Sequence, residues 1–135
     1  MSAERGAVVK NPGGKLNIAL VYPNSYFVGM SNLGLQTMYH EFNQLDGICC
    51  ERFFTDCPKS VESGRRLNEF NIVAFSVSYE PDWLNVIQIL DANKIPLKTS
   101  QRGGAPLVVA GGPAVTMNPE PVAELLDLAF LGDGE

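Results

Sequence analysis

VVAGGPA, Val108 to Ala114, is the stretch where an apolar run stops abruptly at two glycines and a proline. In an open parallel sheet, ligands sit at the carboxyl ends of the strands, and glycine there lets a ligand approach the backbone. Gly111 and Gly112 are therefore a candidate ligand floor, with a plain strand-to-helix turn as the alternative. Two runs upstream have the same form. Leu16 to Tyr22 (LNIALVY) is nearly all apolar and stops at Pro23 and Asn24, and Ile72 to Val77 repeats the pattern. Continuous rather than alternating apolarity predicts strands covered on both faces.

Helical signals lie between the strands. After a loop containing Gly29, Ser31 or Asn32 can cap a helix whose Leu35, Met38, Tyr39 and Phe42 recur on one face, ending by Gly47. Ile48 to Phe54 (ICCERFF) mixes apolar and charged residues, as a strand nearer a sheet edge does. Asp56 to Glu69 reads as a long exposed connection with a short helix, its Glu62, Arg65, Arg66 and Glu69 a solvated surface. Pro81 suits a first helical turn, with Trp83, Ile87 and Leu90 on one face up to about Asn93 and Pro96 blocking continuation. Asn118 to Glu120 opens a helix burying Val122, Leu125 and Leu126, and Asp127 to Leu131 is a fifth strand. Residues 1–15 read as a flexible leader and 16–135 as one α/β domain, a parallel sheet with helices on both faces. Ending at GDGE without a covering helix, the chain is expected to be an amino-terminal domain excised from a longer one.

Composition narrows the function. The chain has 135 residues, 45% of them hydrophobic, enough for one core without staples. Three cysteines make no even disulfide framework and no signal-type leader opens the chain, so a cytoplasmic location is expected. No apolar run reaches membrane-spanning length, and ten Lys and Arg against a net charge of -5 argue against nucleic acid.

Motifs narrow it further. Tyr22 to Gly34 (YPNSYFVGMSNLG) lacks the G-x-G-x-x-G of a dinucleotide site, and no Gly-Lys-Ser or Gly-Lys-Thr marks a P-loop. A phospho-acceptor domain needs acidic residues where Pro23, Asn24 and Ser76 to Tyr79 stand. A flavin phosphate wants more hydroxyls after the first strand than Ser25 and Ser31, which leaves flavin the weaker alternative. What remains is a neutral slot at three strand ends: Asn24 and Ser25, then Ser76, Ser78 and Tyr79, then Gly111, Gly112 and Pro113. Such a slot suits a bulky ligand rather than a bare phosphate, and contains no catalytic base.

Four segments carry a family resemblance: ALVYPNSYFVGMSNLGLQTMYHEF, FNIVAFSVSYEP, VVAGGPAVTMNPEP and the closing GDGE. On them, Leu16 to Glu135 resembles the cobalamin-binding-like domain found in front of radical S-adenosylmethionine (radical SAM) enzymes. The resemblance implies a flavodoxin-like three-layer sandwich with a five-stranded parallel sheet in the order 2-1-3-4-5. It also implies an accessory role, not catalytic by itself, beside a radical SAM domain of the same polypeptide. Cobalamin-binding domains carry D-x-H-x-x-G after the first strand, a serine ending the third and Gly-Gly ending the fourth. Ser76 and Gly111 with Gly112 match the last two, while the histidine motif is absent and His40 falls inside the first predicted helix. The implied cofactor is thus cobalamin held without a histidine, with Tyr79 and Trp83 as candidate packing for the corrin, or else the domain is a degenerate scaffold that docks on the radical domain; a protein interaction module with no cofactor is the alternative. The C-x-x-x-C-x-x-C cluster motif does not occur, so Cys49, Cys50 and Cys57 are read as structural. The 4Fe-4S cluster and S-adenosylmethionine are expected beyond Glu135.

Overall fold

A computed structural model of the chain describes residues 13–78, 80–96, 106–111 and 128–129. Strands β1 (Leu16–Tyr22), β2 (Ile48–Phe54), β3 (Ile72–Ser76) and β4 (Leu107–Gly111) form a parallel sheet in the order β2-β1-β3-β4. In register, Val21 lies opposite Phe53 on one side and Phe75 on the other, and Ser76 opposite Gly111. The described part of the expected fifth strand is β5 (Leu128–Ala129), two residues paired parallel with Val109 and Ala110. The leader up to residue 12 and the expected helix after Asn118 lie outside the described residues.

Both faces are covered, because the apolar runs have no polar side. Ile18, Leu20, Tyr22, Cys50 and Phe54 point to one face and meet α2 (Leu33–Asn43) through Leu35 and Tyr39. Ala19, Val21, Phe53, Val73 and Phe75 point to the other and meet α3 (Trp83–Ala92) through Trp83, Val86 and Leu90. Leu35 and Leu90 are fully buried; withdrawing such a side chain from water is worth about 1.5–3 kcal/mol.

Two details differ from the sequence reading, and a third, the end of α3 at Asn93 where the sequence put it, shows how the stop is made. The segment after β1 is not all loop: α1 (Tyr26–Met30) is a short helix capped by Ser25, whose Oγ accepts from the Val28 amide. On α3, Val86 faces the sheet and Ile87 is only half-buried. Both fit a 3.6-residue period from Trp83, so only the contact with the sheet chooses between them. The helix also stops before Pro96 acts. Lys94 takes φ +59°, with the Ile95 amide donating to the Leu90 carbonyl and the Lys94 amide to that of Asp91, a C-terminal cap usually built on glycine.

The β2 edge shows the largest departure. Its outward backbone groups at Cys50, Arg52 and Phe54 are all paired. The Asn43 side-chain amide both accepts from the Cys50 N–H (3.0 Å) and donates to its carbonyl (3.1 Å), as a neighbouring strand would. The Arg52 amide donates to Glu62 Oε1 and the Arg52 carbonyl accepts from Val61, both at 2.9 Å. The Phe54 amide donates to the Cys57 carbonyl and the Cys57 amide returns the bond. The edge is closed to strand addition.

The same connection carries charge inward. Arg52 Nε meets Glu62 Oε2 at 2.7 Å with side chains 3% and 0% exposed, and Arg65 Nη2 meets the buried Glu51 carboxylate at 3.1 Å. Glu62 and Arg65 are thus not the solvated surface the sequence suggested; within β2's edge they neutralise charges that the strand itself buries. Burial alone would push the Glu51 carboxyl up, but hydrogen bonds from Ser60, Ser63 and Arg65, with the Arg65 charge, hold it below the ordinary carboxylate range. A depressed folded-state value gives stability that is present above the unfolded value and lost as pH falls through the folded one. Glu51→Gln is therefore expected to flatten the acid limb of the stability curve below about pH 4.5. Urea unfolding of both proteins between neutral and acid pH checks this; parallel curves would show that Glu51 titrates alike in both states.

Candidate functional site at the carboxyl edge of the sheet

Parallel pairing brings the ends of β1, β3 and β4 to one edge. Of the eight residues singled out in the sequence, Asn24, Ser25, Ser76, Ser78 and Gly111 are described and all stand there; Tyr79, Gly112 and Pro113 lie outside the described residues. Ser76 and Gly111 face each other across β3 and β4, both half-buried, and the Val77 amide donates to the Gly111 carbonyl at 2.9 Å.

The other three work within the fold. Ser25 caps α1. Asn24 accepts from the Ser25 amide through Oδ1 (2.8 Å) and donates through Nδ2 to the Asp82 carboxylate at 3.3 Å. Ser78 Oγ accepts from Asn32 Nδ2 at 3.1 Å, while Asn32 Oδ1 caps α2 by accepting from the Leu35 amide at 2.9 Å. Asn85 on α3 donates to the Pro23 carbonyl at 2.9 Å. These bonds brace the loops after β1 and β3 against each other across the sheet's end, since each links segments about fifty or more residues apart.

Sequence reasoning named Asn32 only as a cap and did not name Asp82 or Asn85. The available signal was Pro81-Asp82, a helix-opening pair whose aspartate does not cap its own helix and turns to Asn24 instead. Burial holds the Asp82 carboxyl above its ordinary value, with the Asn24 bond opposing. A recess of about 230 Å³ lies on the α3 face. Val21, Phe53, Leu67, Asn85 and Ile89 help to line it. It exists because the β2–β3 connection follows the sheet's edge, its only helical part the single turn Leu67–Glu69.

Apart from the buried Asp82 carboxyl, the residues that brace the site are uncharged. His40 sits in the last turn of α2, exposed and within 2.9 Å of Gln44 Nε2, so it does not face the strand ends. Among the described residues no three His, Cys, Asp or Glu side chains gather as a metal-binding group. Burial raises the Cys50 thiol far above its usual range and raises Cys49 as well, helped by the neighbouring Glu51. Iodoacetamide should thus alkylate Cys57, half-buried, well before Cys49 and Cys50, which react only on unfolding. Mass spectrometry of a labelling time course tests this, and fast loss of all three thiols would contradict the buried assignment.

Among the described residues no helix is long and apolar enough to cross a membrane. The chain is 28% identical over 119 residues to an uncharacterized protein of Methanocaldococcus jannaschii. The alignment covers 88% of this chain and 24% of that relative, so the chain spans about a quarter of the relative's length. No solved structure matches. The model of one protein family, the N-terminal region of radical SAM proteins, matches residues 34–135, which takes in α2 from Gly34, the sheet from β2 onward and, of the braced edge, Ser78, Asp82 and Asn85 but not their partners Asn32, Asn24 and Pro23. On that match, the chain belongs to the family of N-terminal domains of radical SAM proteins.

Proposed function

We propose that the chain is the accessory domain of a radical SAM enzyme, acting as a scaffold that docks on the catalytic domain of the same polypeptide and shapes the entrance to it. The family match supports the association with a radical SAM domain. One structural observation favours the scaffold: Asn24, Ser25 and Ser78, three of the five described candidate residues, already make hydrogen bonds that hold the carboxyl edge together, Asn24 as donor and the two serines as acceptors. In this reading the sheet is flavodoxin-like, its full complement five strands in the order 2-1-3-4-5. The cluster and S-adenosylmethionine belong to the catalytic domain.

A second reading has its own support. Ser76 and Gly111, in register and half-buried, are the two described positions that correspond to the serine and first glycine of cobalamin-binding domains. A corrinoid held there would have no histidine from this chain on its metal. Ser76, with Ser78 and Tyr79, would offer hydrogen bonds to its periphery, and Gly111, Gly112 and Pro113 would give clearance. Asn24, Ser25 and Ser78 already being held in the fold's own hydrogen bonds makes this the poorer fit.

Titration with hydroxocobalamin decides between the two. The scaffold predicts an unchanged visible spectrum and no heat of binding. A spectral shift with saturable heat, abolished by Gly111→Val in a protein that keeps its circular dichroism, would replace the scaffold by the cofactor reading. FMN, quenched on binding, tests the flavin alternative in the same way.

A further inference from the structure

We infer that the carboxyl edge of the sheet is the docking surface for the radical SAM domain of the same polypeptide, anchored by Phe27 and Leu33 on one face of the sheet and Leu84 on the other. This rests on the proposed function and adds which surface is used and which side chains carry it.

The exposed apolar side chains are unevenly placed. Phe27, Leu33 and Leu84 are 81%, 79% and 67% exposed, the highest values among the large hydrophobic residues described. Each belongs to a segment that leaves the carboxyl end of β1 or β3: Phe27 to α1, Leu33 to the first turn of α2, Leu84 to the first turn of α3. The opposite edge carries Leu16, Leu45 and Leu107, all less exposed. Scattered single leucines need no explanation, but the three most exposed large apolar groups around one edge do.

Charge points the same way. No Asp, Glu, Lys or Arg occurs between Lys15 and Glu41, so the whole of α1, its flanking loops and the first turns of α2 are uncharged in a chain with 19% charged residues. Charge depletion with an aromatic anchor marks the centre of a protein interface, while a phosphate-bearing partner would need cations that residues 16–40 lack.

The rim is also rigid where a docking surface benefits from rigidity. The Asn24–Asp82 and Asn32–Ser78 bonds fix the two loops before anything binds, which reduces the ordering cost of association. Docking by strand addition at β2 is closed off, because Asn43, Glu62 and the Phe54–Cys57 pair already occupy that edge.

The occupant is argued from chain length. The aligned residues make up 24% of the relative, leaving a partner about three times this size on the same polypeptide there. A tethered partner meets the rim at an effective concentration of order mM, so three anchors suffice where separate chains would need a larger patch.

The test uses the full-length protein, with Phe27→p-benzoylphenylalanine as a photocrosslinker and Leu84→p-benzoylphenylalanine as an independent second site. Irradiation should give a crosslink to a peptide of the radical SAM domain within the same molecule, identified by mass spectrometry in a mixture of ¹⁴N- and ¹⁵N-labelled protein. Adding Leu33→Asp should lower the yield about tenfold, the effect of losing an anchor worth about 1.4 kcal/mol. The crosslinker in place of Leu45, on the opposite edge, should give no such product. Crosslinks between copies, or none above the Leu45 control at both sites, would overturn the inference. The visible absorbance of an iron–sulfur cluster in the anaerobically purified protein reports separately on the proposed function. A cluster without the crosslink sinks the docking surface alone, and no cluster sinks the reading beneath it.

Discussion

Replacing Glu62 by alanine is expected to cost about 3–5 kcal/mol, a large share of the roughly 5–15 kcal/mol that holds a domain together. Arg52 is 3% exposed, with its guanidinium 4.3 Å from the Tyr39 ring centre, Nη1 3.3 Å from Met30 Sδ and Nε on Glu62. It therefore joins α1, α2 and the edge connection to β2. Removing the carboxylate takes away the charge that meets Arg52 Nε at 2.7 Å while the cation stays buried, which is worse than never having had the pair. It also leaves the Arg52 amide without the Glu62 Oε1 acceptor that closes the strand edge, a further loss of about 1–3 kcal/mol if the group stays buried. The two contributions can be separated. Arg52→Met with Glu62→Leu removes both charges and should recover most of the loss, but not the share due to the amide. Glu62→Gln keeps an acceptor oxygen and should fall between. Urea unfolding at neutral pH measures all three; a Glu62→Ala protein within about 1 kcal/mol of the parent would show that the pair is hydrated and behaves as a surface ion pair.

Gly29→Val should be the next most damaging change, at the upper end of the 1–3 kcal/mol typical of overpacking or beyond it. A Cβ built there would stand 2.8 Å from Phe54 Cδ1 and 3.1 Å from Tyr22 Cδ2, and nearer still to Phe54 Cε1. Neither ring can yield easily. Phe54 and Tyr22 are 2% and 1% exposed, and Phe54 lies edge-on to Tyr26 at 5.1 Å between centroids. Gly47→Ala is the control: nothing lies within 4 Å of its added Cβ, so stability should stay level or rise by up to about 1 kcal/mol. Thermal unfolding of both variants checks the contrast, and equal tolerance would mean that α1 shifts away from β2 without cost.

These two positions also mark the limit of what a linear reading reaches. ICCERFF was legible as a strand near an edge, because charged residues in an apolar run signal partial exposure. What the letters did not reveal is that Glu51 and Arg52 are buried, because their partners Arg65 and Glu62 arrive from a connection that itself looked like solvated surface. Gly29 looked like a loop glycine for the same reason: the rings that forbid a side chain there come from β1 and β2.

At the candidate site the division is similar. Neutral residues at three strand ends were legible, and the five that are described do share one edge. Their present employment was not. Ser25 as a cap follows from local chain geometry, but Asn24 finds Asp82 and Ser78 finds Asn32 only once parallel pairing has set β1 beside β3.

The sequence by itself determined three apolar strands and a fourth, mixed one at the edge, the longer helices α2 and α3 between them and their alternation, hence a parallel sheet covered on both faces. It could do so because hydrophobic periodicity and capping are properties of neighbours along the chain. Only the tertiary structure decided which charges are buried, which glycine must stay bare and which polar groups at the carboxyl edge are bonded to one another. Each of those depends on contacts between distant segments, and the energy of a polar or charged group is set by the partner that reaches it rather than by its place in the chain.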